Sequence, residues 1–600
     1  MTERELRKLL ASVKAGRLSR RTFVSRMVGL GLTAPFAAQL LAYAGVAQTT
    51  PLTDYKPTKA GGGGALKLLF WQAATLLNPH FAVGAKDQEG ARIFYEPLAA
   101  WAPDGNLMPV LAAEIPDIEN GGVAPDGMSV TWKLKKGVEW HDGTPFTADD
   151  VVFNWEYASD PATAAVTIGI YRDATVEKID PLTVRVRFEK PTPFWAGRFV
   201  AFFGMIVPKH LFEPYKGANS RDAPANLKPV GTGPYRFVEF KPGDLIRGER
   251  NPSYHVANRP HFDTIEMKGG GGDAVSAARA VIQTGEYDFA WNMQVEDEIL
   301  VKLEDAGNSR GHSEIVQSRA MEHIQINSAD PWTEVDGERS NPKTKHPLFS
   351  DPAVRQALRL LVDRASVEAH IYGRTGVATG NFLNNPERFV SKNTKWEFNI
   401  DKANRLLEEA GWIRGSDGIR AKDGKKLKLV FQTAINAPRQ KTQAIIKQAC
   451  QKAGIDMELK SVTASVYFSS DVANPDTARK FYADLQMYTH GTPSIPDPEG
   501  FMQLFASWEI ASKENKWQGR NPMRWHNEEY DKTLLAAQSE LDPVKRAALF
   551  IEMNDMVVNE VAVIPVVNRR WVAAMSNKLK ATLSGWDNDF WNLKDWYREA

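Results

Sequence analysis

One cysteine, Cys450, stands in a chain of 600 residues. An intramolecular disulfide is thereby excluded, and a metal cluster built on thiolates is not expected. Neither sign of charge is in excess: the formal net charge is +1. That leaves no basic stripe for nucleic acid and no polybasic anchor for a membrane surface. Past the N-terminus no stretch reaches the roughly 18 apolar residues of a membrane span. The motifs of common enzymes are missing too, with no His-Glu-x-x-His, no Gly-x-Ser-x-Gly and no Walker sequence. The 11 histidines are scattered; His255 and His261 come nearest to a pair, at a spacing that suits neither one helix face nor a tight loop. Gly231 to Gly233 lack the lysine of a P-loop, and Gly269 to Gly272 precede a helix-like stretch without a dinucleotide-binding layout.

What is present is a folded composition, 43% hydrophobic, in a chain too long for one core, so two or more domains are expected. Arg4, Arg7, Lys8, Lys14 and Arg17 precede Ser19-Arg20-Arg21-Thr22-Phe23-Val24, and an apolar stretch follows from Met27 to Val46. This layout resembles a twin-arginine export signal. Small residues allow cleavage after Ala44 or after Ala47, and no cysteine nearby could carry a lipid. Residues 48–64 are polar and rich in proline and glycine, which reads as a flexible lead-in.

The most informative stretch runs from Ser129 to Trp155. Val130, Trp132 and Leu134 alternate with Ser129, Thr131, Lys133 and Lys135, the period of a strand with one buried face. Lys136-Gly137 and Asp142-Gly143-Thr144-Pro145 are turn formers. Thr147 with Asp150 three residues later predicts a capping box, and Asp149 and Asp150 put negative charge at the positive end of a helix dipole. Asp160-Pro161 should close that helix, because proline disfavours helical geometry in the residue before it. Further on, Gly231-Thr232-Gly233-Pro234-Tyr235 feeds a hairpin that ends in Arg250-Asn251-Pro252-Ser253-Tyr254. Asp351-Pro352 opens a helix whose inner face is Val354, Ala357, Leu358 and Leu361. Asp401 opens another, with Ala403, Leu406, Leu407 and Ala410 inward and Gly411 as its stop. A last helix starts at Asp542-Pro543, and Val563 to Val567 follow it as an apolar strand.

These segments resemble the extracytoplasmic solute-binding proteins of ABC importers, family 5, typified by the oligopeptide- and dipeptide-binding proteins. Leu134 to Gly137, Trp140 to Pro145 and Ala148 to Phe153 follow the signature segment, and the similarity runs from about Leu66 to Trp596. The resemblance implies an α/β, two-lobed periplasmic-binding-protein fold (type II, cluster C) with an extra inserted subdomain. It places lobe I in residues 65–110, 229–327 and 566–600, the inserted subdomain in 111–228 and lobe II in 328–565. Ile324 to Asn327 and Val563 to Val567 are expected to cross between the lobes. It also implies a binding protein, not an enzyme: no catalytic residue, no cofactor and no metal, but a peptide or other small-molecule ligand. The partners are permease subunits with cytoplasmic ATPases, and the protein itself is a periplasmic monomer without a membrane anchor.

The departure that bears on the ligand lies between Met487 and Phe501. Peptide-binding members carry an aspartate shortly before an Asp-Pro pair, and that aspartate meets the ligand's α-ammonium. Asp497-Pro498 matches the pair and Tyr488 the aromatic before it, but the aspartate's place falls near Ser494, a neutral hydroxyl. A buried cation left without a partner costs several kcal/mol. Either another acid supplies the charge for a peptide, or the cleft holds an oligosaccharide or an opine-type conjugate. A secreted hydrolase is the alternative of another class. The positions matched to the family's cleft are Trp71, Trp291, Asn292, Asn381, Phe382, Tyr488, His490, Ser494 and Trp525.

Overall fold

The computed structural model describes residues 55–599 except 83, 270–272, 469–472, 492–494 and 518, together with a few isolated positions before residue 28. Two mixed sheets dominate it. The first takes its strands in the order Gly311–Val316, Trp571–Ser576, Phe289–Ala290, Ala65–Phe70, Thr264–Gly269, Leu245–Arg250 and Tyr235–Lys241. The second runs Gly376–Ala378, Val563–Arg569, Met321–Ile326, Leu485–His490, Lys428–Ala434 and Asp456–Val462. Each is the centre of one lobe. No helix among the described residues is long and apolar enough to cross a membrane.

Both sheets have a parallel heart. Ala65–Phe70 lies parallel to Thr264–Gly269 and to Phe289–Ala290, and Lys428–Ala434 lies parallel to Asp456–Val462 and Leu485–His490. The strands that connect the lobes run antiparallel to these hearts: Trp571–Ser576 beside Phe289–Ala290, and Met321–Ile326 beside Leu485–His490. The chain therefore leaves each sheet at the carboxyl ends of its parallel strands. Those ends face each other across the connection, and open α/β sheets bind ligands outside that edge.

The handovers lie outside the strands expected to make them. Met321–Ile326 and Val563–Arg569 both belong wholly to the lobe II sheet and pair with each other. The crossings are the short segments 317–320 and 570. They are fastened together: Ser318 Oγ donates to the Arg569 carbonyl at 3.0 Å, and Arg569 N donates to the Ala320 carbonyl at 2.8 Å. An apolar run announces a strand but not the sheet it joins, which is why these boundaries differ from the sequence reading.

The Ser129 to Trp155 stretch forms as read. Ser129–Lys133 pairs with Thr183–Phe188, which pairs with Ala174–Asp180 in a small antiparallel sheet. Thr147 caps the helix Ala148–Ser159: its hydroxyl accepts from Asp149 N, and the Asp150 carboxylate accepts from Thr147 N at 2.9 Å. Trp132 and Tyr157 from this unit share one continuous apolar core with Leu66, Leu68 and Phe70 of the lobe I sheet. The insertion thus packs as part of lobe I rather than on a core of its own.

Residues 55–64 are not the flexible tether that composition suggested. Tyr55 stacks on Tyr597 with ring centroids 4.1 Å apart, and its hydroxyl meets His261 Nδ1 at 3.0 Å. Gly62 N and Gly64 N both donate to the Asp263 carboxylate, at 2.9 and 3.0 Å. Gly61, Gly62 and Gly64 have φ between 71° and 89°, a region glycine enters without penalty, so the glycine run curls around one carboxylate.

Candidate functional site

The lobe I edge of the cleft is built on the segment after Phe289–Ala290. Trp291 is buried, stacked on Phe70 at 5.2 Å and edge-on to Trp571 at 6.1 Å. Asn292 takes φ +52°, left-handed backbone that asparagine tolerates better than most residues. In that turn its carbonyl accepts from Gln294 N at 2.8 Å and from Trp71 Nε1 at 3.0 Å. Met293 N donates to the Val572 carbonyl at 2.8 Å, which fixes the turn beside the start of the returning strand. Trp71, Trp291 and Asn292 are thus brought together as one aromatic corner. Trp291 Nε1 and Asn292 Oδ1 are both buried and meet no partner among the described residues.

The lobe II edge carries charge. Glu322, Thr489 and Arg569 come from three neighbouring strands, and Arg439 comes from the first turn of the helix Ala437–Lys452. Arg439 Nη2 donates to Glu322 Oε1 at 2.9 Å and to Thr489 Oγ1 at 2.8 Å, and Thr489 Oγ1 also donates to Glu322. Arg569 Nη1 donates to Thr489 Oγ1 at 3.0 Å and stands 3.9 Å from the Glu322 carboxylate. Burial works to raise the Glu322 carboxyl, but Arg439 overrides it and holds the group below the ordinary carboxylate range. Two guanidinium groups therefore surround one carboxylate in a buried setting.

The lobes touch beside this floor. Asn436, the cap of the Arg439 helix, donates through Nδ2 to Gln294 Oε1 at 3.3 Å, and Lys441 Nζ lies 2.7 Å from Glu296. Arg374 reaches Asp297 and Glu304, each at 2.9 Å. On the side of the inserted unit, Lys190 Nζ donates to Gln538 Oε1 at 2.8 Å.

Tyr488 and His490 stand at the carboxyl end of their strand. The Tyr488 hydroxyl accepts from Gln325 Nε2 at 2.9 Å, and the His490 ring lies 4.7 Å from Phe501. Burial holds the His490 imidazole well below its ordinary range and lowers that of His323 to about 4, so both are neutral at physiological pH. Three other matched residues are committed to the lobe interior. Phe382 is fully buried among His323, His490, Phe501 and Phe505. Asn381 accepts from Asn554 Nδ2 at 2.8 Å and donates to the Ser391 carbonyl at 2.9 Å. Trp525 packs on Tyr530 and donates to Glu560 at 3.3 Å. Ser494 lies outside the described residues. The Asp497 that follows it is a buried ion-pair partner of Arg546.

Glu322, Arg439, Arg569, Gln294 and Asn436 escaped the motif-based reading. A signal was available for two of them. Glu322 is the one charged residue in the stretch Met321 to Ile326, and Arg569 follows the apolar run Val561 to Val567 after Asn568. A charged residue in a strand buried on both faces needs a partner and marks a polar site.

The family model for bacterial extracellular solute-binding proteins, family 5, matches residues 106–513. The oligopeptide-binding protein AppA of Bacillus subtilis is 28% identical over 477 residues, covering 78% of this chain and 79% of its own. The glutathione-binding protein GsiB of Escherichia coli (strain K12) is 26% identical over 530 residues, covering 87% and 90%. Among solved structures, B. subtilis AppA in complex with a nonapeptide superposes with a TM-score of 0.74 at 23% identity, over 91% of this chain and all of that one.

Proposed function

Because the chain belongs to the bacterial extracellular solute-binding proteins of family 5, we propose that the solute it captures for its ABC importer is a peptide or peptide-like molecule. The observation that carries this reading is the charged lobe II floor opposite the aromatic corner. A neutral oligosaccharide would have no use for a buried excess of guanidinium charge, whereas a peptide brings ionised ends and planar amides that suit both walls. The peptide- and glutathione-binding names of the relatives point the same way. Binding then consists of closure: a ligand that touches both lobes favours the closed arrangement over the open one.

Export through the Ser19 to Val24 motif into the periplasm, action as a monomer and delivery to a permease pair with its ATPases complete the reading. Replacing Arg20 and Arg21 by lysines is expected to leave the protein in the cytoplasmic fraction, as read by immunoblot of fractionated cells. The ligand is tested by native mass spectrometry of protein purified from its own cells. An adduct that fragments to amino acids and is released intact supports the reading. Hexose losses would replace it with a sugar binder, and cleaved products with a hydrolase.

A further inference from the structure

The helix Asp297–Glu304 of lobe I starts against lobe II. Glu296, its cap residue, and Asp297, its first, are both buried, and the cations that meet them come from the other lobe. Lys441 Nζ stands 2.7 Å from Glu296 Oε1. Asp297 is held more closely: Arg374 N donates to Oδ2 at 2.8 Å, Arg374 Nε donates to Oδ1 at 2.9 Å, and Nη2 lies 2.9 Å from the same oxygen. The remaining arm, Nη1, donates to Glu304 Oε2 at 2.9 Å. One guanidinium thus spans about two turns of the helix.

Lobe II is shaped locally to make that contact. Glu368–Tyr372 is a widened helical turn in which Gly373 N donates to the Glu368 carbonyl, five residues back. Such turns are rare and concentrate at functional sites. Gly373 then takes φ +46° and ψ −121°, backbone that glycine alone enters freely. A side chain there would strike the other lobe, since a Cβ on Gly373 would lie 2.3 Å from Asp297 Oδ2. The turn is also tied to the second crossing, because Arg570 N donates to the Thr375 carbonyl at 2.8 Å. Unusual backbone of this kind persists where it serves a purpose, and here it aims the Arg374 N–H and guanidinium at lobe I.

We propose that Gly373-Arg374 is a latch that grips Asp297 and biases the lobes toward closure before any ligand arrives. The inference rests on the reading of binding as closure, and adds to it a bias set by the protein's own residues. Three donors on one carboxylate fix its angle as well as its distance, so rotation of one lobe on the other breaks them together. A protein that is closed for part of the time binds every ligand of the closed form more tightly, by a factor independent of the ligand's chemistry. Arg374 is exposed, so salt weakens the latch.

The test is small-angle X-ray scattering of the protein, freed of ligand by unfolding and refolding, from about 20 to about 500 mM sodium chloride, across which the screening length falls from roughly 20 to roughly 4 Å. Wild type, Arg374→Ala, Asp297→Asn and Arg247→Ala are compared. Arg247 pairs with Glu239 and Glu266 inside the lobe I sheet, so its loss removes a similar charge away from the seam. The wild-type radius of gyration should rise with salt. Both latch variants should start at the larger value and stay there, and Arg247→Ala should follow the wild type. In calorimetry with a free-acid random tetrapeptide library, and with the same library amidated, the latch variants should bind both more weakly by one common factor of about 3- to 10-fold. A wild-type radius that ignores salt, or latch variants with the wild-type radius at low salt, overturns the latch while leaving closure by ligand intact. A radius that responds to salt and to the variants but to neither library overturns closure around a peptide while keeping the latch. The salt series on the wild type stands even if a variant fails to fold.

Discussion

Asp589 is buried behind the aromatic corner. Its Oδ1 accepts from Trp571 Nε1 at 2.6 Å, and its Oδ2 has no partner among the described residues. Glu89 and Asp587 are buried nearby, with Glu89 accepting from Asp589 N at 2.8 Å. Burial pushes the Asp589 carboxyl up from 3.8 to about 7 and that of Asp587 to about 6. The sign follows from linkage: the folded state holds a proton that the unfolded state has already lost. The stability due to this group is complete below pH 3.8 and is lost as pH rises toward about 7. Asp589→Asn should therefore change little at pH 4 and stabilise increasingly toward pH 7.5, measured as the difference in urea midpoint from the wild type. A constant difference across that range would refute the buried-acid account. The Glu322–Arg439 pair works in the opposite sense. Arg439→Met leaves a carboxylate buried with weak compensation and should destabilise by about 3–5 kcal/mol, while adding Glu322→Gln should restore most of that loss in the same measurement.

Single residues of this kind were the least legible in the sequence. Nothing marks Arg569 as different from any other arginine except the apolar strand that it ends, and its meaning depends on Thr489 and Glu322, 80 and 247 positions away. A match to the family locates an aromatic residue without saying which surface it serves. Phe382 and Trp525 sit at matched positions and are spent on packing, since the same large apolar surface serves a core and a binding wall equally well.

At the scale of elements the sequence spoke more plainly. The capping box at Thr147 and the helix that Asp160-Pro161 ends were read from local chemistry, because caps and breakers act within one turn. The lead-in at 55–64 shows the limit of that approach. Four glycines in a row announce freedom, and it is removed by distant partners: the Asp263 carboxylate, the Pro260 and His261 carbonyls and the Arg598 guanidinium. Asn436 joins both scales, as the cap of the Arg439 helix and as the partner of Gln294 in the other lobe. Asn436→Ala should cost about 1 kcal/mol of stability through the lost cap. It should also weaken ligand binding, whereas Asn436→Asp, which keeps the cap and removes the donor to Gln294, should weaken binding alone. Denaturation and titration calorimetry on the two variants separate these effects.

The whole molecule is organised by where its chain leaves each sheet. Two short crossings join the carboxyl edges of two parallel-centred sheets and are held by hydrogen bonds between Ser318, Ala320 and Arg569, and Trp291 Nε1 and Asn292 Oδ1, which have no partner among the described residues, belong to the corner that packs on Trp571 beside them. Asn436, Lys441 and Arg374 make contacts from one lobe to the other, each of them half-exposed on at least one side. In the proposed binding by closure, contacts of this size leave a balance that a ligand touching both lobes can tip. The measurement that tests this most directly is small-angle X-ray scattering of the protein. It is recorded after ligand removal by reversible unfolding and again with the free-acid tetrapeptide library, whose peptides are recovered and weighed afterwards. A smaller radius of gyration with the library, and peptides returned intact, are expected; an unchanged radius, or peptides returned in fragments, would rule out closure around an intact peptide.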